Sequence, residues 1–249
     1  MDSLLIAAPT AAVLAGGIVG YASAHPASQL FGPSLRRTSA AKKLAITFDD
    51  GPNPAITPKL LDLFDKHSGR ATFFLIGDFV RQCPELARET VARGHSLGNH
   101  TKSHRNLFKC SPAEIRVQLQ SCSEAIGEAT GVTTKWFRPP FGLRNPWVIP
   151  AANRMGMQAV MWSLISFDWS AKSTEWLIPR MAPIAARANR RREKSSDTGD
   201  ILCLHDGNHL HLNGDRHCTL EALTYWMPRW RDLGLEFVTI DEAVCRPAT

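Results

Sequence analysis

The stretch Leu44-Ala45-Ile46-Thr47-Phe48-Asp49-Asp50-Gly51-Pro52 runs from an apolar segment straight into two adjacent carboxylates. The apolar part predicts a buried strand, and the Gly-Pro pair ends it. Two neighbouring carboxylates at a strand end repel each other, and a plain turn does not require such a pair. A bound cation would offset that repulsion and leave one acid free to act as a base. The pair therefore indicates either a metal site or a turn that happens to contain two acids.

Two histidines stand four residues apart in His100-Thr101-Lys102-Ser103-His104. On a helix or helical turn this spacing puts both imidazoles on one face, where a carboxylate from elsewhere can complete a metal site. The spacing alone is a weak signal, because surface histidines often show it. Its position strengthens it, since 95–98 predicts a strand that follows a helix ending at Gly94.

Three further motifs follow these two along the chain. The five motifs are T-F-D-D-G-P at 47–52, H-T-K-S-H at 100–104, R-P-P-F-G at 138–142, F-D-W at 167–169 and L-H-D at 204–206. The chain resembles the polysaccharide deacetylases, which show such motifs in this order, share the NodB homology domain and form carbohydrate esterase family 4. The resemblance covers roughly residues 42–245. The first two motifs are specific, and the shared order of all five argues against coincidence.

Short apolar runs alternate with helical patterns from residue 42 onward, which predicts an α/β fold with a parallel sheet. Strands are predicted at 43–48, 71–76, 95–98, 134–137, 157–162, 200–204 and 235–239. Seven such units favour a closed or nearly closed β/α barrel. The resemblance implies a distorted (β/α)7 barrel, TIM-barrel-like, of the NodB homology type.

Helix boundaries carry their own signals. Thr57-Pro58 predicts an N-cap followed by a proline in the first turn, and the segment 111–114 (S-P-A-E) predicts a capping box. Glycines predict three helix ends, at Gly94, Gly156 and Gly234.

Functional groups of such barrels gather at the carboxyl ends of the strands. The predicted strand ends are followed by Asp49 and Asp50, His100 and His104, Arg138, Asp168, and His205. We therefore expect all five motifs on one rim, although they are spread over more than 150 residues of sequence.

Asp50, His100 and His104 provide two imidazoles and one carboxylate, a set with open coordination positions. It suits one divalent metal ion that activates water. Zinc is the first choice, and cobalt, nickel or iron would also suit, because affinity order alone does not decide the metal.

The resemblance also implies the acid and base groups. Asp49 would be the general base, and Arg138 beside it would keep it ionised. His205 would protonate the leaving amine, with Asp168 orienting and tuning it, since an imidazole is readily protonated near neutral pH. Without the other motifs, Arg138 would be interpreted as a surface arginine that precedes a Pro-Pro turn.

Three residues are expected to contact substrate. The resemblance implies that the Phe141 backbone N–H helps bind the oxyanion and that Trp169 walls the sugar site, although a core tryptophan is the alternative. Cys203 stands where the family usually has a leucine that lines the acetyl pocket, and Ile165 stands where the family often has an aspartate. These two departures bear on substrate preference and leave the metal ligands, base and acid in place.

Three more histidines follow His205, at His209, His211 and His217. Their spacing fits no regular ligand face, so a solvated loop over the site entrance is favoured over a second metal site. Arg216 and these histidines would be placed to contact substrate.

The N-terminal segment 1–24 is predicted to be a signal peptide or a membrane anchor, which would make the protein extracytoplasmic. Residues 4–21 are largely apolar and long enough to cross a bilayer, and 22–24 (A-S-A) offers a cleavage pattern. Two features disagree with export: Asp2 replaces the usual basic start, and basic residues follow the segment at Arg36, Arg37, Lys42 and Lys43. A buried or frayed helix is the alternative. Residues 25–41 are expected to be a linker or surface arm, and 42–249 the catalytic domain.

The chain has 249 residues and a formal net charge of +6. Much of the excess lies in Arg187, Arg190, Arg191, Arg192 and Lys194, which predicts the solvated end of a helix. No aromatic residues are interleaved there, so we expect no nucleic-acid partner. The six cysteines include no C-x-x-C pair, and their even number permits disulfides in an exported protein.

These observations predict a monomeric, metal-dependent hydrolase that removes N-acetyl groups from N-acetylglucosamine glycans of the chitin-oligosaccharide or peptidoglycan type. A carbohydrate O-acetyl esterase that uses the same site is the first alternative. A non-catalytic glycan-binding protein is the second. Membrane association would come through residues 4–21.

Overall fold

Nine strands form one sheet in the computed structural model, which describes residues 16–194 and 197–244. They are β1 (Ser34–Leu35), β2 (Lys43–Gly51), β3 (Thr72–Leu75), β4 (Ser96–Asn99), β5 (Trp136–Phe137), β6 (Gln158–Val160), β7 (Leu164–Ile165), β8 (Asp200–His205) and β9 (Glu236–Phe237). Every pairing is parallel, in the order β1-β6-β5-β4-β3-β2-β8-β7, and β9 also pairs with β2. Among the described residues β1 and β7 do not pair, so the curled sheet stays open. The predicted α/β fold with a distorted, TIM-barrel-like sheet is confirmed.

Helices fill the connections between the strands. They are α1 (16–24 among the described residues), α2 (Thr57–Lys66), α3 (Gly77–Gln82), α4 (Pro84–Ala92), α5 (Pro112–Thr130), α6 (Val148–Arg154), α7 (Thr174–Lys194), α8 (His217–Asp232) and α9 (Ile240–Val244). Single 3-10 turns occur at Leu107–Lys109, Pro140–Gly142 and Asp168–Ser170.

Each of the seven predicted strand segments overlaps an observed strand. The sequence did not predict β1 and β7, which are two residues long and lie outside the seven predicted segments. β1 lies inside the segment expected to be a linker or surface arm. Its residues Ser34 and Leu35 pair with Ala159 and Val160, so this segment contributes an edge strand to the sheet.

The helix boundary signals are partly confirmed. Ser111 and Glu114 form the predicted capping box at the start of α5. The N-cap predicted at Thr57 is wrong, since Thr57 is the first residue of α2 and Ile56 precedes it without a side-chain cap. The Thr57 hydroxyl instead donates to Asp206 Oδ2 at 2.5 Å. The predicted terminal glycines all have positive φ just after a helix: Gly94, Gly156 and Gly234.

The core explains why the end of β2 is fixed in place. Ile46 and Phe48 point to the helix side of the sheet, where Phe48 stacks on Phe73 with ring centroids 4.9 Å apart. Ala45 points the other way, into a cluster shared by strands β2, β3, β5, β6 and β8 inside the curl. Burying each large side chain contributes about 1.5–3 kcal/mol. Asp49 follows Ala45 by four residues and therefore emerges on the inner side of the curl.

The predicted leader or anchor falls largely on residues 1–15, outside the described part of the chain. Within the described residues, no helix has the length and apolarity needed to cross a membrane. The end of α1 packs on the domain: Ser23 is buried, and its carbonyl accepts a 3.0 Å hydrogen bond from the Arg144 N–H. The Arg144 side chain also donates to the carbonyl of His25 at 2.6 Å.

The basic run in α7 is not simply solvated, which corrects the prediction. Arg187 and Arg191 lie 3.1 and 2.7 Å from the carboxylate oxygens of Asp200, and Arg37 lies 3.2 Å from it. This buried acid thus ties the end of α7 to the start of β8. The five cysteines within the described residues are all buried free thiols.

Candidate active site

A cavity of about 560 Å³ opens at the carboxyl ends of the strands. Arg138 and Asp168 lie behind its wall and are almost fully buried. The other predicted site residues line it: Asp49, Asp50, His100, His104, Phe141, Trp169, Cys203 and His205. The structure therefore brings all five motifs to one rim.

Asp49 and Asp50 both face this cavity, although adjacent side chains of a regular strand point to opposite faces. The pairing of β2 with β3 shifts at this point: Asp49 pairs with Phe74 and Gly51 with Leu75, which leaves Asp50 unpaired. Asp50 has a φ of 72°, a left-handed conformation that costs an aspartate about 1–2 kcal/mol. This β-bulge turns the second carboxylate to the side of the first.

Arg138 fills the space beneath Asp49. Its Nη1 donates to Asp49 Oδ1 at 2.7 Å and to the Thr47 hydroxyl at 2.8 Å. Its Nε donates to the Val160 carbonyl at 3.1 Å, and its guanidinium lies 4.2 Å from the centre of the Phe74 ring. The alternative of a surface arginine is wrong, because the side chain is inaccessible to solvent. Asp49 therefore has a fixed cation on Oδ1, while Oδ2 takes only a weak hydrogen bond from the Cys203 thiol among the described side chains.

His100 and His104 bring two imidazoles to Asp50. Asp50 Oδ1 lies 3.5 Å from His100 Nε2 and 3.1 Å from His104 Nε2. The helical turn expected between the two histidines is wrong, since the segment is a loop in which Thr101 and His104 have φ values of 72° and 54°. The loop is held by the Thr101 carbonyl, which accepts a hydrogen bond from the Gly77 N–H at 3.0 Å.

The atoms of this group are arranged as donors to a cation. His100 Nδ1 lies 2.8 Å from the Arg138 carbonyl oxygen, which accepts only from an N–H, so the Nε2 lone pair faces Asp50. Asp50 Oδ1 is buried and has no hydrogen-bond donor among the described residues, despite its closeness to His104. A lone pair facing an unsatisfied carboxylate oxygen is repulsive unless a cation lies between them.

The protonation states agree with this arrangement. Burial lowers the pKa of His104 to about 3, so its imidazole is neutral near pH 7. Burial alone would raise the pKa of Asp50, but the surrounding histidines, including the cationic His205, hold it well below its usual range. One carboxylate and imidazole nitrogens form a donor set that divalent transition metals accept, so these residues fit a metal ion.

His205 ends β8 on the opposite side of Asp49. Its Nδ1 lies 2.9 Å from Asp168 Oδ1, and its backbone N–H donates to Asp168 Oδ2 at 2.8 Å. The Thr219 hydroxyl also donates to Asp168 Oδ2, which fixes the carboxylate. Burial lowers the pKa of His205, but the Asp168 charge and hydrogen bond more than compensate and raise it to about 9. The imidazole is thus a cation near neutral pH with a proton to give.

The residues expected to contact substrate lie around this pair. Trp169 packs edge-on against His205 with ring centroids 4.9 Å apart, and it is 44% exposed, so it is a cavity wall and not a core residue. Phe141 has a φ of 59° and is also exposed, which presents both its ring and its backbone to the cavity.

Cys203 lies next to the base. Its thiol donates to Asp49 Oδ2, with sulfur and oxygen 3.6 Å apart, and it accepts from Arg138 Nη1 at 3.6 Å. Burial raises the pKa of this thiol well above its usual range. Asp49, Cys203 and His205 have potential ligand atoms within 4.8 Å of one another, but a protonated thiol beside an arginine-bound carboxylate is a poor metal site.

His209 was expected on a solvated loop, placed to contact substrate, and in the structure it lies beside His104 and Asp50. Its ring stacks on His104 with centroids 4.3 Å apart, and its Nδ1 lies 3.8 Å from Asp50 Oδ2. The spacing from His205 gave no signal, because His205 ends β8 whereas His209 lies on the irregular loop that follows. Of the neighbouring groups predicted to touch substrate, Arg216 lines the cavity and His211 is exposed.

Comparison with known proteins identifies the family. A family model described as polysaccharide deacetylase matches residues 36–160. A chitooligosaccharide deacetylase from Azorhizobium caulinodans is 32% identical over 206 residues, which are 80% of this chain and 93% of the relative. The chain belongs to the polysaccharide deacetylase family. It is thus a hydrolase of the polysaccharide deacetylase class, and the resemblance found in the five motifs is confirmed.

Further members of the family agree. A peptidoglycan-N-acetylglucosamine deacetylase from Bacillus cereus is 34% identical over 207 residues, covering 81% of this chain and 87% of that protein. Among solved structures, the Bc1960 peptidoglycan N-acetylglucosamine deacetylase bound to an N-hydroxybenzamide compound has a TM-score of 0.73 and 27% identity. The match covers 85% of this chain and 92% of that one.

One structural neighbour is a pseudoenzyme. A family 4 carbohydrate esterase pseudoenzyme from Bacillus anthracis has a TM-score of 0.71 and 26% identity, over 85% of this chain and 68% of that one. The polysaccharide deacetylase fold therefore does not by itself establish activity. For this chain the decision depends on the side chains that line the cavity.

Proposed function

We propose that this protein is a metal-dependent deacetylase that removes N-acetyl groups from N-acetylglucosamine-containing glycans. The observation that carries the proposal is the convergence of three groups on one cavity: Asp50 with its two imidazoles, Asp49 with Arg138, and His205 with Asp168. Relatives named as chitooligosaccharide and peptidoglycan N-acetylglucosamine deacetylases support this substrate class.

Asp50, His100 and His104 are the proposed ligands of one divalent ion, and zinc suits two imidazoles and a carboxylate. Cobalt or nickel would suit the same donors. When bound, such an ion supplies a Lewis acid that acidifies water and polarises the acetyl carbonyl.

Asp49 is the proposed general base. Its Oδ1 is held by Arg138, so Oδ2 is the oxygen left to accept a proton from the attacking water. Arg138 also prevents the carboxylate from rotating away. The pair is almost fully buried, so the contact is little screened by solvent.

His205 is the proposed general acid. Its Nδ1 is held by Asp168, so Nε2 carries the proton that goes to the departing nitrogen. The Phe141 backbone N–H is the proposed donor to the oxyanion, a role that needs no particular side chain. Trp169 offers its exposed face to the sugar ring.

The experiment that tests this function is an assay on three acetylated substrates: chitin oligosaccharides, peptidoglycan fragments and an O-acetylated sugar. Mass spectrometry and an amine-specific reagent would read the products. We expect acetate together with a new free amine, and loss of activity on chelation with recovery when zinc or cobalt is added. Acetate with a new hydroxyl and no free amine would favour the O-acetyl esterase.

No turnover by metal-loaded protein on any substrate would favour a non-catalytic glycan-binding protein. The site argues against that alternative, since the proposed base, acid and all three ligands are present. All these groups come from one chain, so we propose that the monomer is the active form. Light scattering on the purified protein would test this.

We propose that the protein acts outside the cytoplasm, either exported or anchored through residues 4–21. The apolar composition of this segment and the A-S-A sequence at 22–24 support the proposal. Cell fractionation of the full-length protein should find it in the membrane or outside the cytoplasm. Recovery from the cytoplasm with its N-terminus intact would contradict this location.

A further inference from the structure

The loop that covers one side of the cavity is a defined structure. Asn208 organises it: its Oδ1 accepts from the Leu210 N–H at 2.9 Å, and its carbonyl accepts from the His211 N–H at 3.0 Å. Arg216 Nε donates to the Gly207 carbonyl at 2.8 Å and closes the base of the loop. Gly207 also lies so close to the Asp50 carbonyl that a Cβ would collide with it. The loop is therefore built against the Asp50 strand end.

This loop holds His209 over the proposed metal ligands. The His209 ring stacks on His104 at an interplanar angle of 25° and packs edge-on against Phe141, with centroids 5.5 Å apart. Phe141 contacts His104 in the same way, at 4.6 Å. The His209 ring thus packs against both His104 and Phe141, and its side chain is 34% exposed.

The distances match a shared ion better than they match direct contacts. His209 Nδ1 and Asp50 Oδ2 are 3.8 Å apart, which is too far for a hydrogen bond. Tetrahedral ligands about 2.0–2.1 Å from one ion lie about 3.3 Å from each other. His104 Nε2 and His100 Nε2 lie 3.1 and 3.5 Å from Asp50 Oδ1, and His209 Nδ1 lies 3.8 Å from Asp50 Oδ2, all close to that value. Ligand atoms of Asp50, His104 and His209 all lie within 4.8 Å of one another.

We propose that His209 is a fourth protein ligand of the metal site formed by Asp50, His100 and His104. The inference rests on the proposed function, which needs only the first three. Four protein ligands would close a tetrahedral site, whereas catalytic sites keep a position open. His209 is the ligand that can leave, because its side chain is partly exposed on a surface loop, whereas the side chains of the other three are almost fully buried.

Metal affinity tests this directly. Apo-protein would be titrated with zinc against a chromogenic chelator, using wild type, His209→Ala and the matched control His211→Ala. His211 lies two residues away on the same loop and is exposed. We expect His209→Ala to weaken zinc binding by at least about 10-fold, the lower limit of what even an outer-shell partner contributes. His211→Ala should bind zinc as wild type does.

Cobalt spectroscopy gives a second readout that does not depend on activity. Four-coordinate Co²⁺ absorbs much more strongly in the visible range than six-coordinate Co²⁺. Wild type and His211→Ala should show the stronger bands, and His209→Ala should show weaker ones, because solvent molecules that enter in place of the imidazole raise the coordination number above four.

The outcomes separate this inference from the proposed function. One ion bound equally well, with the same cobalt spectrum, in all three proteins would overturn the role of His209 alone. Failure of wild-type protein to bind one divalent ion would overturn both proposals. A rise in KM for His209→Ala with unchanged affinity and spectrum would make His209 a substrate contact and overturn its role as a ligand.

Discussion

Arg138 Nη1 and Asp49 Oδ1 form a 2.7 Å ion pair, and neither side chain is more than 5% exposed. The two residues are 89 positions apart in sequence, on β2 and just after β5. The pair therefore joins the proposed base to the far side of the sheet. Because both charges are out of water, each stabilises the other only while both are present.

Replacement of Arg138 by methionine should destabilise the protein strongly. The change leaves a buried carboxylate without its cation, and breaking a buried pair in this way costs about 3–5 kcal/mol. Urea unfolding would measure the loss as a lower transition midpoint.

Arg93→Met is the matched control for that experiment. Arg93 also binds carboxylates, those of Asp62, Asp65 and Glu89, but on the surface. Surface pairs of this kind contribute roughly 0–1 kcal/mol each. Equal destabilisation by the two substitutions would mean that the Arg138–Asp49 pair is not the buried contact described here.

The pH profile should report the Asp168–His205 pair. The pKa of His205 is raised to about 9, from about 6.5 for a free imidazole, so the acid form persists through neutral pH and is lost as pH rises through about 9. Asp168→Asn removes the charge that raises this pKa but leaves the burial that lowers it. The alkaline limb of kcat/KM should therefore move to lower pH, and an unmoved limb would assign it to another group.

The Asp168–His205 pair should also make the stability of the protein depend on pH. Its contribution to stability should be lost as pH rises, as the acid form of His205 is. A raised pKa in the folded state stabilises the protein fully below the unfolded pKa of about 6.5, and this contribution disappears as pH rises through about 9. Asp168→Asn should flatten the change in unfolding free energy between those pH values, as measured by urea titration.

His205→Ala should discriminate between leaving groups. A poor leaving amine needs the acid, whereas the phenolate of an activated aryl acetate does not. The variant should lose far more rate on acetylated glucosamine than on the aryl ester. Equal losses on both substrates would show that His205 binds or supports structure and is not the acid.

Cys203 should set the size of the acyl pocket. Its sulfur lies 3.6 Å from Asp49 Oδ2, at the position where the family usually has a leucine. Cys203→Leu should narrow the space beside the base, so kcat/KM for an N-propionyl substrate should fall relative to the N-acetyl one. Cys110→Ala, away from the cavity, serves as the control. An unchanged ratio in Cys203→Leu would mean that this side chain does not line the acyl pocket.

The fold and most of the site could be predicted from the sequence because they depend on local patterns. Apolar runs predicted seven strands, and the residues that follow the strand ends predicted which side chains lie on the rim of the cavity. The local backbone conformations could not be predicted. The bulge at Asp50 and the left-handed residues Thr101 and His104 are set by packing against neighbouring strands and loops. These backbone conformations bring the side chains to the predicted rim, and no periodicity in the sequence indicates them.

His209 shows the same limit. Its place above Asp50 depends on hydrogen bonds made by Asn208 and Arg216 within the loop. The spacing between histidines in the sequence carries no information about the conformation of such a loop. A resemblance to family motifs does not help either, because His209 lies outside all five.

Substitutions of the two adjacent aspartates should have different effects on the metal content of the protein. Asp50→Asn should lose the metal, because Asp50 supplies the proposed carboxylate ligand. Asp49→Asn should keep it, because Arg138 and not the ion is the partner of Asp49 Oδ1. Elemental analysis of both purified variants would measure the metal content, and loss from Asp49→Asn alone would reverse the two assignments.

The most direct test of the central claim is the product mass from N-acetylglucosamine oligomers incubated with zinc-loaded wild type and Asp49→Asn. Wild type should yield products lighter by about 42 mass units per acetyl group removed, each with a free amine. Asp49→Asn should retain its metal and lose about 10²–10⁴ in kcat, the usual contribution of a general base. Unchanged substrate mass with metal-loaded wild type, or equal rates for the two proteins, would contradict the account.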